Sequence, residues 1–293
     1  MRLPHILLAL TTVVLWGYNF VVIKIGVAAV PPLFLTSMRY LFSALPLVFF
    51  LRKPDVPWKV MIFYGLAMGA GQFGFLFPAI RLGLPAGLAS LVLQMQAFFT
   101  MGLAAIFIGE RIGPVRIAGA LVAFCGLGVI AIERMQAATA LVPLLMCIAA
   151  ALCWATANIV NRGTGKVDPI AFIAWTSLVP VLPLLALSAV VEGPQAIWAA
   201  ATAPSWPAIG SLVYLVVCAT LIGTGIWSFL LTRYPAGQVA PFSLLVPVFG
   251  LSSAAFFLGE RITGIEAAGG ALVIAGLVLN VFGTRLVAVL RAK

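Results

Sequence analysis

The sequence predicts an all-α membrane protein in which ten transmembrane helices form two inverted five-helix repeats around a central cavity. Three observations predict it. First, 63% of the 293 residues are apolar and 8% are charged, with a mean hydropathy of +1.19, whereas a soluble surface needs roughly 25–35% charged side chains. Second, apolar stretches close to the ~20 residues that cross a hydrocarbon core recur along the whole chain. Third, short motifs of the first half return in the second half at a constant spacing, the mark of a repeat architecture. Ten spans absorb roughly 200 residues, which leaves no room for an appended catalytic domain.

In chain order the apolar stretches cover 5–28, 33–51, 59–80, 86–108, 115–132, 140–161, 170–191, 207–232, 237–258 and 265–285, each bounded by charge or by proline and glycine. The first follows Arg2 as a secretory signal would, but its apolar run continues through Trp16 to Val30 without a small-x-small cleavage site, so it is expected to be a retained span. Pro31-Pro32 separates it from the second stretch, and Arg52 to Trp58 separates the second from the third. In the third, Gln72 stands among Gly69, Gly71 and Gly74, beside Phe73. The fourth carries Gln94 and Gln96, about 200° apart on an α-helix, so at most one fully faces a cavity, and Gln96 is preferred. Gly119 with Gly126 in the fifth, and Gly269 with Gly276 in the tenth, return to one face every seven residues and are expected to form packing seams. The longest break, Glu192 to Trp206, holds two prolines and one charge and is expected on the membrane surface. In the ninth stretch Pro241 and Pro247 strip backbone hydrogen bonds. The carbonyls they free need a neighbour, a hydroxyl or cavity water, and the resulting kink is either a gate or a bend that fits packing.

The repeat is read from Pro85-Ala86-Gly87 and Pro235-Ala236-Gly237, and from Gly109-Glu110-Arg111-Ile112 and Gly259-Glu260-Arg261-Ile262, both pairs 150 residues apart. Tyr64 and Tyr214 share that spacing, while Trp16 and Lys24 match Trp154 and Arg162 at 138. The halves are 1–134 and 135–293. Five helices per copy is an odd number, so the second copy enters the membrane from the opposite side, the plan of many secondary transporters. Of the basic residues, 12 fall on the side shared by the termini and 4 on the other, among them Lys24, Arg81, Arg134 and Arg261. Positive-inside orientation then places both termini in the cytoplasm. The net charge of +10 comes from basic residues scattered between apolar runs, a pattern of loop anchors that excludes nucleic acid as a partner.

All seven acids map to connections or helix ends, and the only histidine, His5, lies at the amino-terminal edge. Intramembrane hydrolysis needs buried Asp pairs, metal-binding His and acid sets, or Ser with a base. None of these is present at depth, so no enzymatic role, metal or cofactor is expected. Cys125, Cys147, Cys153 and Cys218 lie in apolar runs as small hydrophobes. Coupling ions usually ride on mid-membrane carboxylates, so transport is expected to be either facilitation down a gradient or coupled without such a relay. What remains at depth is neutral and aromatic. Trp16 and Asn19 share one face of the first helix, and Trp154 and Asn158 one face of the sixth. Each amide must face a cavity or bond another helix. Tyr214, Thr220, Thr224 and Trp227 mark the eighth helix, and Ser243 the ninth. Arg39 lies about seven residues past Pro32, roughly 10 Å into the second span. It either meets a substrate carboxylate or gates, or else anchors or pairs with a carbonyl.

The stretches WGYNFVVIKIG, PPLFLTSMRY, PAGLASLVLQMQAFFT and APFSLLVPVFGL, with the two GERI motifs, make the chain resemble the EamA-type branch of the drug/metabolite transporter superfamily over essentially its whole length, closest to bacterial amino-acid and metabolite exporters. The resemblance implies a ten-helix basket with a cavity lined by helices one, three, four, six, eight and nine, and with Trp16, Trp154, Gln72, Phe73 and Gln96 on its wall. Gln96 stands where the aromatic amino-acid exporters of the family carry tryptophan. The glutamate that small multidrug members hold in the first helix is missing, against their antiport mechanism. The expected substrate site is Trp16, Asn19, Gln72, Phe73, Gln96, Trp154, Asn158, Trp227 and Ser243, with Arg39 for gating or a substrate carboxylate. The expected partners are a small-molecule substrate and membrane lipid, with the protein a monomer or homodimer. Export of hydrophobic drugs or other metabolites on the same fold is the alternative.

Overall fold

The computed structural model describes residues 1–135, 141–164, 167–234 and 236–291, and among these the regular structure is entirely helical. Pro235 of the second Pro-Ala-Gly motif, and Lys166 and Lys293 of the basic residues, lie outside the described residues, as do the side chains of Arg134, Arg285 and Arg291. Nine helices among the described residues are long and apolar enough to cross a membrane. In order, and with the shorter second helix included, they are α1 Leu3–Ala29, α2 Pro32–Val48, α3 Trp58–Arg81, α4 Ala86–Ile108, α5 Pro114–Met135, α6 Leu141–Arg162, α7 Pro169–Val191, α8 Trp206–Arg233, α9 Ala240–Leu258 and α10 Gly264–Arg291. The second apolar stretch is the one that shrinks: α2 has 17 residues and ends before the turn at Phe49. A short helix, Pro194–Thr202, fills the longest break and buries none of its residues.

Several helices depart from α geometry, and the departures come in pairs. A π-helical stretch, Leu66–Phe73, interrupts α3, and another, Tyr214–Gly223, interrupts α8. A 3-10 turn at Leu93–Met95 tightens α4, and one at Ala240–Leu245 opens α9. The carboxyl-terminal ends of each pair lie 150 residues apart, the spacing of the sequence motifs. A π stretch widens the helix and turns carbonyls away from their usual partners, and side chains take them up here. Trp16 Nε1 donates to Ala219 O at 3.0 Å, Tyr40 Oη to Met68 O at 3.2 Å, and Thr220 Oγ1 to Leu215 O at 2.8 Å. The Gly-Glu-Arg-Ile motifs also acquire a physical reason. Gly109 and Gly259 end α4 and α9 at φ 75° and 64°, the left-handed cap that glycine adopts at low cost.

Packing follows small residues. On the seam of α5 with α10, a Cβ placed on Gly119 would sit 2.8 Å from Gly276 O, and one on Gly126 2.5 Å from Gly269 O, so the two backbones touch, as the glycine spacing predicts. α1 packs on α8 and α9, whereas α6 packs on α3 and α4, so each of these two helices is held mainly by the other half of the chain. Carboxylates tie the ends. α2 and α4 both start behind a proline that offers no side-chain cap, and their orphan amides are met from afar. Glu192 accepts from Leu33 N at 2.8 Å and Phe34 N at 3.2 Å, and Glu260 from Ala86 N at 2.9 Å and Gly87 N at 3.0 Å. Removing such a cap costs about 1 kcal/mol. Glu192→Ala should therefore lower the thermal midpoint of the detergent-solubilised protein by roughly 2–4 °C, and an unchanged midpoint would assign α2 to packing alone.

Candidate functional site

A cavity of about 610 Å³ opens among α1 to α4 and α6 to α9, within the size range of small-molecule sites. Its wall includes all ten side chains singled out for the site: Trp16, Asn19, Gln72, Phe73, Gln96, Trp154, Asn158, Trp227, Ser243 and Arg39. Pro241 and Pro247 do not line it; they shape α9 behind it. α2 and α7 also contribute wall, through Arg39 and Tyr40 and through Phe172, Thr176 and Ser177, which is two helices more than the family resemblance implies.

The wall runs from buried Leu76 to exposed Asn161 and on to Thr164 in the connection between α6 and α7 and Pro169 at the start of α7, so the cavity reaches the surface at that end. Beyond Leu76 the chain is closed by buried Ile23, Phe77, Ile80 and Leu84. An ion pair stands at each end. Lys24 Nζ meets Glu260 Oε1 at 2.6 Å at the closed end, and Arg162 Nη1 meets Glu110 Oε1 at 2.5 Å at the open end. Each pair joins one half of the chain to the other.

The two glutamines of α4 correct the sequence expectation that one of them turns away. Both line the cavity, because the 3-10 turn at Leu93–Met95 alters the angle between them. Gln94 Nε2 donates to Ser243 O at 3.1 Å. That carbonyl is the one Pro247 leaves without its i+4 amide; it takes the Val246 amide of the 3-10 turn and, from α4, Gln94. Gln96 Oε1 accepts from Asn158 Nδ2 at 2.9 Å, and Thr100 Oγ1 accepts from the same nitrogen at 3.1 Å. Asn158 thus joins α6 to α4. Asn19 behaves differently: its Oδ1 is buried with no partner, as is Gln72 Oε1. Trp16, anchored through Nε1 to Ala219 O, lies 5.2 Å from Trp227 between ring centroids, and its indole nitrogen would be 2.7 Å from a Cβ on Gly223.

Arg39 is 6% exposed, and the side-chain partner it has is a hydroxyl. Its Nε and Nη2 donate to Thr220 Oγ1 at 3.3 and 3.2 Å, its Cζ lies 4.1 Å from the centre of the Phe73 ring, and its Nη1 has no partner. Among the described residues it is the one charged side chain on the cavity wall. Tyr40 and Thr176 on that wall escaped sequence reasoning, and Tyr64 was read only as the repeat mate of Tyr214. Thr220 was noticed but not assigned. With Thr224 and Trp227 it repeats at i, i+4 and i+7, a helical face that marks it.

The model of the EamA-like transporter family matches residues 3–132 and 141–282. The chain is 46% identical over 95% of both chains to a protein of Salmonella typhimurium, and 42% identical over the same shares to one of Escherichia coli, each named probable amino-acid metabolite efflux pump. It is 31% identical to a protein of Streptantibioticus cattleyicolor named probable terminal-alkyne amino-acid exporter, over 92% of this chain and 90% of that one. A solved crystal structure with 21% identity superposes at a TM-score of 0.61, covering 96% of this chain and 98% of its own, a likeness of fold.

Proposed function

The chain belongs to the EamA-like transporter family, and from that premise we propose that it exports amino acids and related small metabolites by alternating access, without an intramembrane carboxylate relay. Family and apolar helices make it an integral membrane transporter of a small molecule. The names of its relatives support amino-acid metabolites as cargo. The observation that carries the proposal is the cavity: large enough for a metabolite, open at one end and closed at the other, and lined with neutral amides, hydroxyls and aromatic faces around one cation. Trp16, Trp154, Trp227 and Phe73 offer broad apolar contact to a side chain, while Asn19, Gln72, Gln96, Asn158 and Ser243 face its polar end.

In this reading ten helices span a bacterial-type inner membrane as two inverted copies, with both termini in the cytoplasm. Support comes from reciprocity. Lys24 and Arg162 match at 138 residues and Glu110 and Glu260 at 150, yet each cation pairs with the acid of the other half. The π stretches, the 3-10 turns and the crossed glycines of α5 and α10 obey the same exchange. The cavity then opens toward the cytoplasm, the side from which an exporter loads.

Purified protein in liposomes, screened over the common amino acids with and without a pH gradient, tests the proposal. Saturable amino-acid flux that survives neutralising each acid in turn is expected. Movement of lipids, drugs or nucleotide sugars with no amino-acid flux would overturn the cargo, and proton-driven accumulation abolished by one acid substitution would overturn the relay-free mechanism.

A further inference from the structure

We propose that Arg39, Asn19 and Gln72, positioned by Thr220 and Phe73, form a subsite that reads the α-ammonium and α-carboxylate of the cargo, with the carboxylate as the obligatory feature. The inference rests on the export reading of this cavity and narrows its substrate class to carboxylate-bearing amino compounds.

Three buried side chains on the cavity wall hold polar atoms without partners: Arg39 Nη1, Asn19 Oδ1 and Gln72 Oε1. They are 6%, 7% and 2% exposed. Buried polar atoms in folded proteins are nearly always bonded, so three orphans around one cavity point to a ligand. They belong to one contact chain. Gln72 precedes Phe73, whose ring lies under the Arg39 guanidinium. Arg39 is bonded to Thr220, and the adjacent Ala219 carbonyl holds Trp16, which shares its helix face with Asn19.

The chemistry of the three atoms differs in sign. Thr220 spends its own proton on Leu215 O, so towards Arg39 its hydroxyl only accepts. It takes Nε and Nη2, Phe73 covers a face of the guanidinium, and Nη1 is left a buried charged donor without a partner, on a residue of the cavity wall. Asn19 and Gln72 present carbonyl oxygens. One cationic donor with two neutral acceptors matches a carboxylate beside an ammonium. A primary amine without a carboxylate brings a second positive charge beside Arg39 and supplies no counter-charge for the guanidinium. A carboxylate without the amine neutralises Arg39 but strands the two carbonyls. An unpaired guanidinium is costly in a membrane interior, and a carboxylate supplies the counter-charge that the described cavity wall lacks.

The test is competition against labelled neutral amino-acid flux in proteoliposomes, using the amino acid, its carboxamide or methyl ester, and its deamino carboxylic acid. For the unaltered protein the amide and ester should compete at least ~30-fold more weakly than the amino acid, because a site built to bond a group rejects analogues that lack it, with the deamino acid in between. Arg39→Gln should lower flux by about 100-fold and bring acid and amide within about two-fold of each other, Arg39→Lys should recover part of both, and Asn19→Leu should erase only the preference over the deamino acid. Equal competition by amino acid and amide in the unaltered protein, which requires no variant to fold, would overturn the inference while leaving amino-acid export standing. Arg39→Gln with unaltered discrimination would also overturn it. Quenching of tryptophan fluorescence in detergent separates the other case: quenching by the amino acid but not its amide, with no flux, would sink the export reading and leave the subsite in place.

Discussion

Gly276→Val should leave little folded protein to purify, and what survives should melt roughly 6–12 °C lower than the parent. A Cβ at this position would lie 2.4 Å from Gly119 O, 2.7 Å from Ala123 Cβ and 2.8 Å from Ala123 N. Two of those three atoms are backbone and cannot rotate away, so α5 and α10 must separate along their length to admit it. Overpacking a tight contact costs about 1–3 kcal/mol, and the branched side chain places this case at the upper end. Lipid offers no hydrophobic force to push the helices back together, because close van der Waals approach is itself what holds membrane helices. Gly128→Ala is the matched control, since nothing lies within 4 Å of a Cβ there, and its midpoint should stay within a degree or two of the parent. Neither α5 nor α10 lines the cavity, so flux per folded molecule should be close to normal in the Gly276 variant. An unchanged midpoint would show that the seam has room, and loss of flux without loss of stability would give α10 a role in transport.

That seam was legible because glycine at a seven-residue spacing leaves a mark in sequence that packing alone explains. Polar side chains inside apolar runs were legible for a similar reason: each needs a partner that lipid cannot supply, so Asn19, Gln72, Gln96 and Arg39 declared themselves before their surroundings were known. The surroundings were harder to read. An all-apolar helix has no face to shift when a residue is inserted, so the π stretches at Leu66–Phe73 and Tyr214–Gly223 leave no trace in hydropathy, yet Ala219 O is available to Trp16 through the second of them. Ideal helical angles set Gln94 aside, whereas the 3-10 turn brings it to the carbonyl that Pro247 frees. Repeat symmetry relates the helix faces that carry Asn19 and Asn158, one residue out of register, but Asn158 is bonded to α4 and Asn19 keeps an orphan oxygen. Partner choice across 181 residues, as between Arg39 and Thr220, is a property of the assembled bundle. Length undid one expectation too: the second apolar run extends to 51, but the turn at Phe49 stops α2 at Val48.

Glu260→Gln should loosen the closed end of the cavity, with an increase of about 10- to 30-fold in the labelling rate of a cysteine at position 19 by an impermeant maleimide added from the Lys24 side. The background for this measurement has Cys125, Cys147, Cys153 and Cys218 replaced. One carboxylate holds three things there: Oε1 takes Lys24 Nζ at 2.6 Å and Ala86 N at 2.9 Å, and Oε2 takes Gly87 N at 3.0 Å. It thereby ties the end of α1 and the start of α4 to the connection between α9 and α10. Its side chain is 10% exposed, so solvent screens these bonds little. Hydrogen bonds to a charged partner contribute about 1.5–3 kcal/mol, and losing about 2 kcal/mol from one state of a two-state equilibrium moves the ratio by about 30-fold. Lys24→Gln should do less, because the bonds to Ala86 and Gly87 survive it. Glu110→Gln at the other end should do least: the Arg162–Glu110 pair is 46% and 49% exposed, and surface pairs are worth about 0–1 kcal/mol. That ordering is what separates a closing contact from general loosening. If all three variants labelled alike, the carboxylate would be one surface charge among others. If none did, the closed end would be held by Ile23, Phe77, Ile80 and Leu84 alone, and opening that end would have to break an apolar plug in place of an ion pair.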